Sequence, residues 1–179
     1  MLHITRLPPM LVATAMLSAC ATVHDAEHPP VAVAQLLRAD GTMVGAARVW
    51  QKGDGLVLNV TAEGLTPGLH GLHLHTIGSC DPPDFVSAGG HWNPTAHMHG
   101  SANPAGPHAG DVPNLLIGSS GRGTLDVHLN DQAAAGGGVS GLFDADGTAI
   151  VIHAGPDDMR SDPSGNSGGR IACGVLVRG

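Results

Sequence analysis

The sequence predicts an all-β fold, an antiparallel sandwich or barrel that carries two long functional loops. Residues that form turns recur along the chain, which has 27 Gly and 13 Pro among its 179 residues. The segments between these turns are short and aliphatic, as is typical of strands in a sandwich or barrel. No stretch of about a dozen residues places apolar side chains at helical spacing without an interrupting Gly or Pro.

Seven segments are predicted to be strands. Asp40-Gly41 and the Gly-Asp-Gly at 53–55 predict tight turns between the first three of them. Segment 123–129 alternates apolar and polar residues, so one of its faces is expected to be buried, with His128 on the other, exposed face. The seven predicted strands are 31–38, 44–51, 56–61, 70–75, 123–129, 148–153 and 171–177.

Two segments lack a strand pattern and are predicted to be the functional loops. Residues 76–119 and 154–170 are long and rich in Gly, Pro and polar residues. Loops of this length in a compact domain usually carry function, because a rigid β scaffold can position them.

Composition excludes one class of partner and suggests a cofactor. One Lys and seven Arg face 15 acidic residues, for a net charge of −7. Nucleic acid is therefore excluded as a partner, because phosphate binding requires clustered cations. The chain also has twelve His and three Cys. So many imidazoles indicate metal binding, and the odd Cys count requires a separate explanation.

The N-terminus explains the third Cys. Arg6 precedes a short apolar run, which is too short to span a bilayer and fits a secretory signal. Residues 17–20, Leu-Ser-Ala-Cys, resemble the lipobox of bacterial lipoproteins. That resemblance implies a signal peptide at 1–19, a lipid on Cys20, a tether at 20–30 and one domain at 31–179. The alternative is an ordinary signal cleaved near Ala19 or Ala21, which leaves Cys20 unmodified.

With Cys20 assigned to a lipid, the mature chain retains Cys80 and Cys173. Export places them in an oxidising compartment, where a disulfide between them is expected.

Two groups of His indicate metal sites. His73 and His75 lie two residues apart on a predicted strand and so share a face, an arrangement that suits copper or zinc. His91, His99, His108 and Asp111 supply three imidazoles and one carboxylate, the ligand count of a closed zinc site. His153 ends a predicted apolar strand and has no local partner.

These residues carry a resemblance to a known family. The pattern Gly-x-His-Gly-x-His-x-His at 68–75 and the run Gly-Asn-Ser-Gly-Gly-Arg-Ile-Ala-Cys-Gly at 165–174 resemble the bacterial secreted copper,zinc superoxide dismutases. The resemblance covers about residues 31–178. It implies a flattened Greek-key β-barrel, an immunoglobulin-like sandwich architecture that this enzyme is known to have, and the dismutation of superoxide to dioxygen and hydrogen peroxide.

The resemblance also implies a role for each site residue. His91 would be shared between the metals, and Arg170 would stand at the copper channel; both are expected to act in catalysis. Asp157 would hydrogen-bond His73 and His99, with Asp158 as the neighbour that could replace it, and His97 is the alternative to His99. The implied copper ligands are His73, His75, His91 and His153, and the implied zinc ligands are His91, His99, His108 and Asp111.

The same resemblance implies superoxide as substrate and the periplasm-facing cell envelope as location, with membrane attachment through Cys20. The resemblance does not fix the oligomeric state, and a homodimer is one state compatible with it. Three other functions are weighed against it: a copper carrier of the same fold, a zinc hydrolase and a structural metal module. A hydrolase would need a general base, but Glu27 and Glu63, the only glutamates, lie outside the His clusters. A structural module would need neither His153 nor Arg170.

Overall fold

The structure, a computed structural model, describes residues 28–179. The predicted signal peptide, Cys20 and residues 20–27 of the tether lie outside the described residues. Within the described part of the chain, no helix is long and apolar enough to cross a membrane. The ten strands are β1 (Ala32–Leu37), β2 (Met43–Lys52), β3 (Gly55–Glu63), β4 (Gly68–His70), β5 (Leu72–His75), β6 (Leu115–Ile117), β7 (Arg122–His128), β8 (Ala149–His153), β9 (Arg170–Val175) and β10 (Val177–Arg178).

Eight of the strands in the described residues form one curled antiparallel sheet, which confirms the predicted all-β barrel. Its order is β5-β8-β9-β1-β2-β3-β7, with β10 also paired to β1, while β4 and β6 form a separate two-stranded sheet. All of the pairings are antiparallel. Only 2% of the chain is aromatic, and the core inside the sheet is mainly aliphatic, with Trp92 as an aromatic member.

Strand alternation places the His residues on the outer face of the sheet. In β5, Leu72 and Leu74 belong to the main core, so His73 and His75 point the other way. In β8, which pairs with β5, Ile150 and Ile152 likewise enter the core. The outer face is nonetheless fully buried, because the two long loops cover it.

The prediction of one strand over 70–75 is wrong, because the chain divides at Gly71. β4 pairs with β6, whereas β5 pairs with β8. A Cβ at Gly71 would lie 2.7 Å from the Cβ of Ser167 and 3.3 Å from Cε1 of His73. Glycine therefore lets the chain pass close beneath the second loop while it changes sheets.

The predicted loop 76–119 also contains structure. A 3-10 turn occupies Val86–Ala88 and β6 lies at Leu115–Ile117. Two short helices, α1 (Asp131–Ala135) and α2 (Val139–Leu142), lie in the connection between β7 and β8. Helices of four or five residues are too short to show the periodicity on which sequence reasoning depends.

Candidate metal centre

Four imidazoles converge between the ends of β5 and β8. His73 and His75 come from β5, His153 from β8, and His91 from the first long loop, where it forms a β-bridge with His75. One ring nitrogen from each of the four lies within 4.8 Å of the others. Sequence spacing alone could not bring in His91 and His153, because their approach depends on the sheet order.

In three of these rings, a hydrogen bond determines which nitrogen carries the proton and which is left bare, with neither a proton nor a partner. His75 donates from Nδ1 to the Gly89 carbonyl (2.9 Å), and His153 donates from Nδ1 to the Gly168 carbonyl (3.0 Å). His73 uses the other nitrogen, Nε2, which lies 2.7 Å from Oδ2 of Asp157. A carbonyl or carboxylate oxygen can only accept, so the proton must sit on the nitrogen that faces it.

The remaining ring nitrogens are buried and have no hydrogen-bond partner among the described residues. They are Nδ1 of His73 and Nε2 of His75, His91 and His153. A buried polar atom without a partner is costly, and four of them facing one space is the arrangement that a metal ion satisfies. Neutral imidazoles are ligands that suit copper, as well as zinc, iron and nickel.

A second cluster surrounds one oxygen of Asp111. Its Oδ1 lies 2.8 Å from Nδ1 of His91, 3.0 Å from Nδ1 of His99 and 3.2 Å from Nδ1 of His108. The Nδ1 atoms of His91 and His108 are 3.3 Å apart. Tetrahedral zinc with ligands at 2.0–2.1 Å needs edges of about 3.3 Å. These four separations, 2.8, 3.0, 3.2 and 3.3 Å, are close to that edge length.

Both His108 and His73 lie near the carboxylate and the two rings of this cluster. By distance, the group that contains His91, His99 and Asp111 includes His73 and not His108. However, Nε2 of His73 is engaged by Asp157, and its Nδ1 belongs to the first cluster. His97 does not join either group of converging atoms, so the structure favours His99 over its neighbour.

Asp157 links the two clusters from the second long loop. Its Oδ2 contacts His73, and its Oδ1 lies 3.0 Å from Nε2 of His99. The neighbouring Asp158 is exposed and instead accepts from the backbone of Arg160 and Ser161. One carboxylate thus orients one His of each cluster, an outer contact that tunes a metal ligand.

The Arg170 guanidinium is held against the first long loop. It donates to the carbonyls of Phe85 (2.6 Å) and Gly89 (2.7 Å). The Gly89 carbonyl also receives the His75 proton, so one backbone group positions both the cation and a ring of the first cluster. The Cys80–Cys173 disulfide is present, with sulfurs 2.02 Å apart, and it ties the same loop to β9.

Sequence and structure comparisons agree on the family. The profile described as "Copper/zinc superoxide dismutase (SODC)" matches residues 43–176. "Superoxide dismutase [Cu-Zn] 2" of Aquifex aeolicus is 43% identical over 144 residues, 80% of this chain and 84% of that protein. The chain belongs to the copper/zinc superoxide dismutase family.

Solved structures of similar proteins support the fold. A superoxide dismutase-like protein from Bacillus subtilis aligns with a TM-score of 0.72 at 42% identity, covering 81% of this chain and 97% of that one. The Cu/Zn superoxide dismutase from Brucella abortus aligns with a TM-score of 0.62 at 28% identity, covering 80% and 97%. The family's metals are copper and zinc, and the two clusters fit these ions.

Burial keeps the first cluster neutral and so able to bind a metal of the family. It lowers the pKa of His73 to about 3, of His75 to about 2 and of His153 to about 4. The pKa of His91 is also lowered by burial, against the opposing hydrogen bond to Asp111. A neutral ring presents a lone pair, which is the form that binds a metal.

The carboxylates have the opposite effect on His99. Burial favours its neutral form, but the hydrogen bonds to Asp111 and Asp157 prevail and raise its pKa to about 9. Burial likewise opposes ionisation of both carboxylates, yet the facing imidazoles hold the pKa of each well below its usual range. A protonated His99 must lose a proton before one of its ring nitrogens can bind a metal ion.

Two positioning residues escaped the sequence analysis. Asn114 clamps the backbone of Asp157, accepting from its N–H (2.8 Å) and donating to its carbonyl (2.9 Å). Asp162 accepts from the backbone N–H of His99 (2.6 Å). Both are ordinary polar residues in loops, and no spacing rule distinguishes them from their neighbours.

His70 and His128 belong to neither cluster, and the sequence analysis expected the exposure of His128. The ring of His70 is buried between the carbonyls of Thr66 and His153, which is a structural role. His128 is exposed on β7.

Proposed function

We propose that this protein is a superoxide dismutase of the bacterial cell envelope that acts at paired copper and zinc sites. Copper is assigned to His73, His75, His91 and His153, and zinc to His91, His99, His108 and Asp111. The observation that carries the assignment is the set of four buried, unpartnered ring nitrogens that face one space. Bound copper supplies one-electron exchange with superoxide, and zinc supplies a fixed positive charge with no redox chemistry.

The chain's own residues supply attraction and protons. Two superoxide anions and two protons give one dioxygen and one hydrogen peroxide. The chain has a net charge of −7, so the approach of an anion needs a local positive field. Arg170 supplies it close to the rings, because its charge contributes to the lowered pKa of His75 and His153. The buried Nε2 of His91 is an atom that can hold a proton for transfer to the reduced substrate.

The ring of His153 tests the copper assignment. We expect His153→Ala to lose copper-dependent superoxide consumption, because one of four converging nitrogens is removed. The matched control is His128→Ala, which removes an exposed imidazole from β7 and should leave the rate unchanged. Copper binding without turnover in the unaltered chain would instead identify a copper carrier of the same fold.

Replacing Arg170 tests the attraction of substrate. We expect Arg170→Ala to lower the second-order rate constant about tenfold or more, and to weaken its dependence on ionic strength. Arg48→Ala removes the same charge from an exposed position on β2, two strands away from β9, and should change the rate little. Rate measurements across a salt series compare the two, and equal effects would assign the attraction to overall charge.

The envelope location is supported by the sequence of residues 1–20. We expect the full chain to fractionate with membranes and to carry a lipid on Cys20, which metabolic labelling with a fatty acid would detect. Cys20→Ser should release the mature domain in soluble form. An unlabelled, soluble chain cleaved near Ala19 or Ala21 would show that the signal is an ordinary secretory one.

A further inference from the structure

The connection between β7 and β8 packs against the zinc cluster, although it contributes no ligand. It begins at Asn130, the N-cap of α1, and continues through α2. Its buried residues include Ala133 and Leu142, which belong to the main core. Its outer contacts are with the loop that carries His91 and His108.

Asn130 joins the connection to the turn that holds two of the zinc-site residues. Its side-chain Oδ1 accepts from the backbone N–H of Gln132 at 3.0 Å, which caps α1. Its Nδ2 donates to the His108 carbonyl at 2.9 Å and lies 3.4 Å from the Asp111 carbonyl. The amide oxygen therefore caps the helix, and the amide nitrogen faces the carbonyls of the first and last residues of the His108–Asp111 turn.

The same connection also packs against the segment that follows His91. A Cβ at Gly136, at the end of α1, would overlap the ring of Pro94. A Cβ at Gly141, in α2, would lie 2.9 Å from Cζ2 of the buried Trp92. One short helical segment thus contacts two parts of the loop. One part supplies His91, and the other is the His108–Asp111 turn.

We propose that the β7–β8 connection braces the zinc site and that Asn130 is its positioning residue. This inference rests on the zinc assignment of the proposed function. By holding the carbonyls of His108 and Asp111, the amide fixes where Nδ1 and Oδ1 of these residues stand before a metal arrives. A site held in its binding geometry loses less conformational freedom when the ion enters.

The variant Asn130→Ser separates the brace from the helix cap. Serine is a good N-cap residue, but it lacks the amide N–H that reaches the two carbonyls. We expect it to weaken zinc binding by about tenfold, the lower end of the effect usual for outer-shell partners of a metal site. Asn130→Ala, which loses the cap as well, should weaken binding at least as much. Competition with a zinc chelator, carried out on copper-free protein, measures the zinc affinity of both variants.

The absorption of Co²⁺ bound in place of zinc adds a second measurement. We expect its ligand-field bands to shift in Asn130→Ser, because the ligand geometry relaxes, whereas a loss of global stability alone would not move them. The matched control is Asn59→Ser, which removes an asparagine on β3 that bonds Asp126 and should leave affinity and bands unchanged.

Gly136→Ala tests the brace independently if Asn130→Ser fails to fold by circular dichroism. The added methyl would press on Pro94 and should also weaken zinc binding. Wild-type affinity and bands in a folded Asn130→Ser protein, or wild-type affinity in Gly136→Ala, would overturn the inference and leave the proposed function intact. Failure of the proposed zinc site has a different signature, because His99→Ala would then bind zinc as tightly as the unaltered chain.

Discussion

At His73 the bare nitrogen is Nδ1, whereas at His75 and His153 it is Nε2. The difference arises from the acceptor on the far side of each ring, a carboxylate for His73 and a backbone carbonyl for the others. The sequence predicts that His73 and His75 share a face, because they alternate on a strand. It does not predict which nitrogen is protonated, since the acceptors come from distant loops.

Burial of neutral imidazoles predicts that the metal-free protein loses stability in mild acid. The folded-state pKa values of His73, His75 and His153 lie at about 3, 2 and 4, below the unfolded value of about 6.5. Their contribution is therefore fully present above pH 6.5 and is lost as pH falls from 6.5 through these folded-state values, because the unfolded chain takes up protons that the folded chain excludes. Each proton changes the free energy of unfolding by about 1.4 kcal/mol per pH unit.

Thermal unfolding of the metal-free protein between pH 7 and pH 4 measures this loss. His73→Gln should reduce the slope of stability against pH by the contribution of about one proton, whereas the exposed control His128→Gln should leave the slope unchanged. His99 acts in the opposite sense, because its pKa of about 9 makes its stabilising contribution disappear as pH rises through that value. A profile that is flat from pH 7 to pH 4 would contradict the burial of neutral rings.

At the scale of elements, strands were easier to predict than the structure of the loops. Aliphatic segments bounded by turns identify strands such as β2 and β3, and sheet register then follows from which face is apolar. The helices α1 and α2 are too short for a periodic signal, and the break at Gly71 depends on contact with Ser167. Such contacts join residues distant in sequence, so they are visible only in the folded chain.

Gly165 illustrates how the second long loop depends on a missing side chain. It has a φ of +63°, and a Cβ there would overlap the carboxylate of Asp157 and stand 2.8 Å from Nε2 of His99. We expect Gly165→Ala to displace Asp157 and to weaken both metal sites, because one carboxylate orients a ring in each.

Metal titration of Gly165→Ala checks this expectation. The control is Gly169→Ala in the same loop, where an added Cβ meets nothing within 4 Å. If both variants bind copper and zinc as the unaltered chain does, the link through Asp157 does not govern either site.

At the scale of the molecule, the barrel brings together residues that the sequence separates by 80 positions. His73 meets His153 because β5 and β8 are neighbours, and Arg170 reaches Gly89 because the Cys80–Cys173 disulfide ties their segments together. The resemblance to the family implied roles for His73, His153 and Arg170, whereas spacing alone did not. With a net charge of −7, the proposed function leaves Arg170 and the two metal ions as the main attraction for an anionic substrate.

The metal content of the purified mature domain, measured together with its superoxide consumption, tests the central claim most directly. We expect one copper and one zinc per chain, activity that follows the copper content, and loss of the paired site in His91→Ala. A His91→Ala protein that retains both metals and wild-type turnover would contradict the claim, as would a chain that holds both metals and consumes no superoxide.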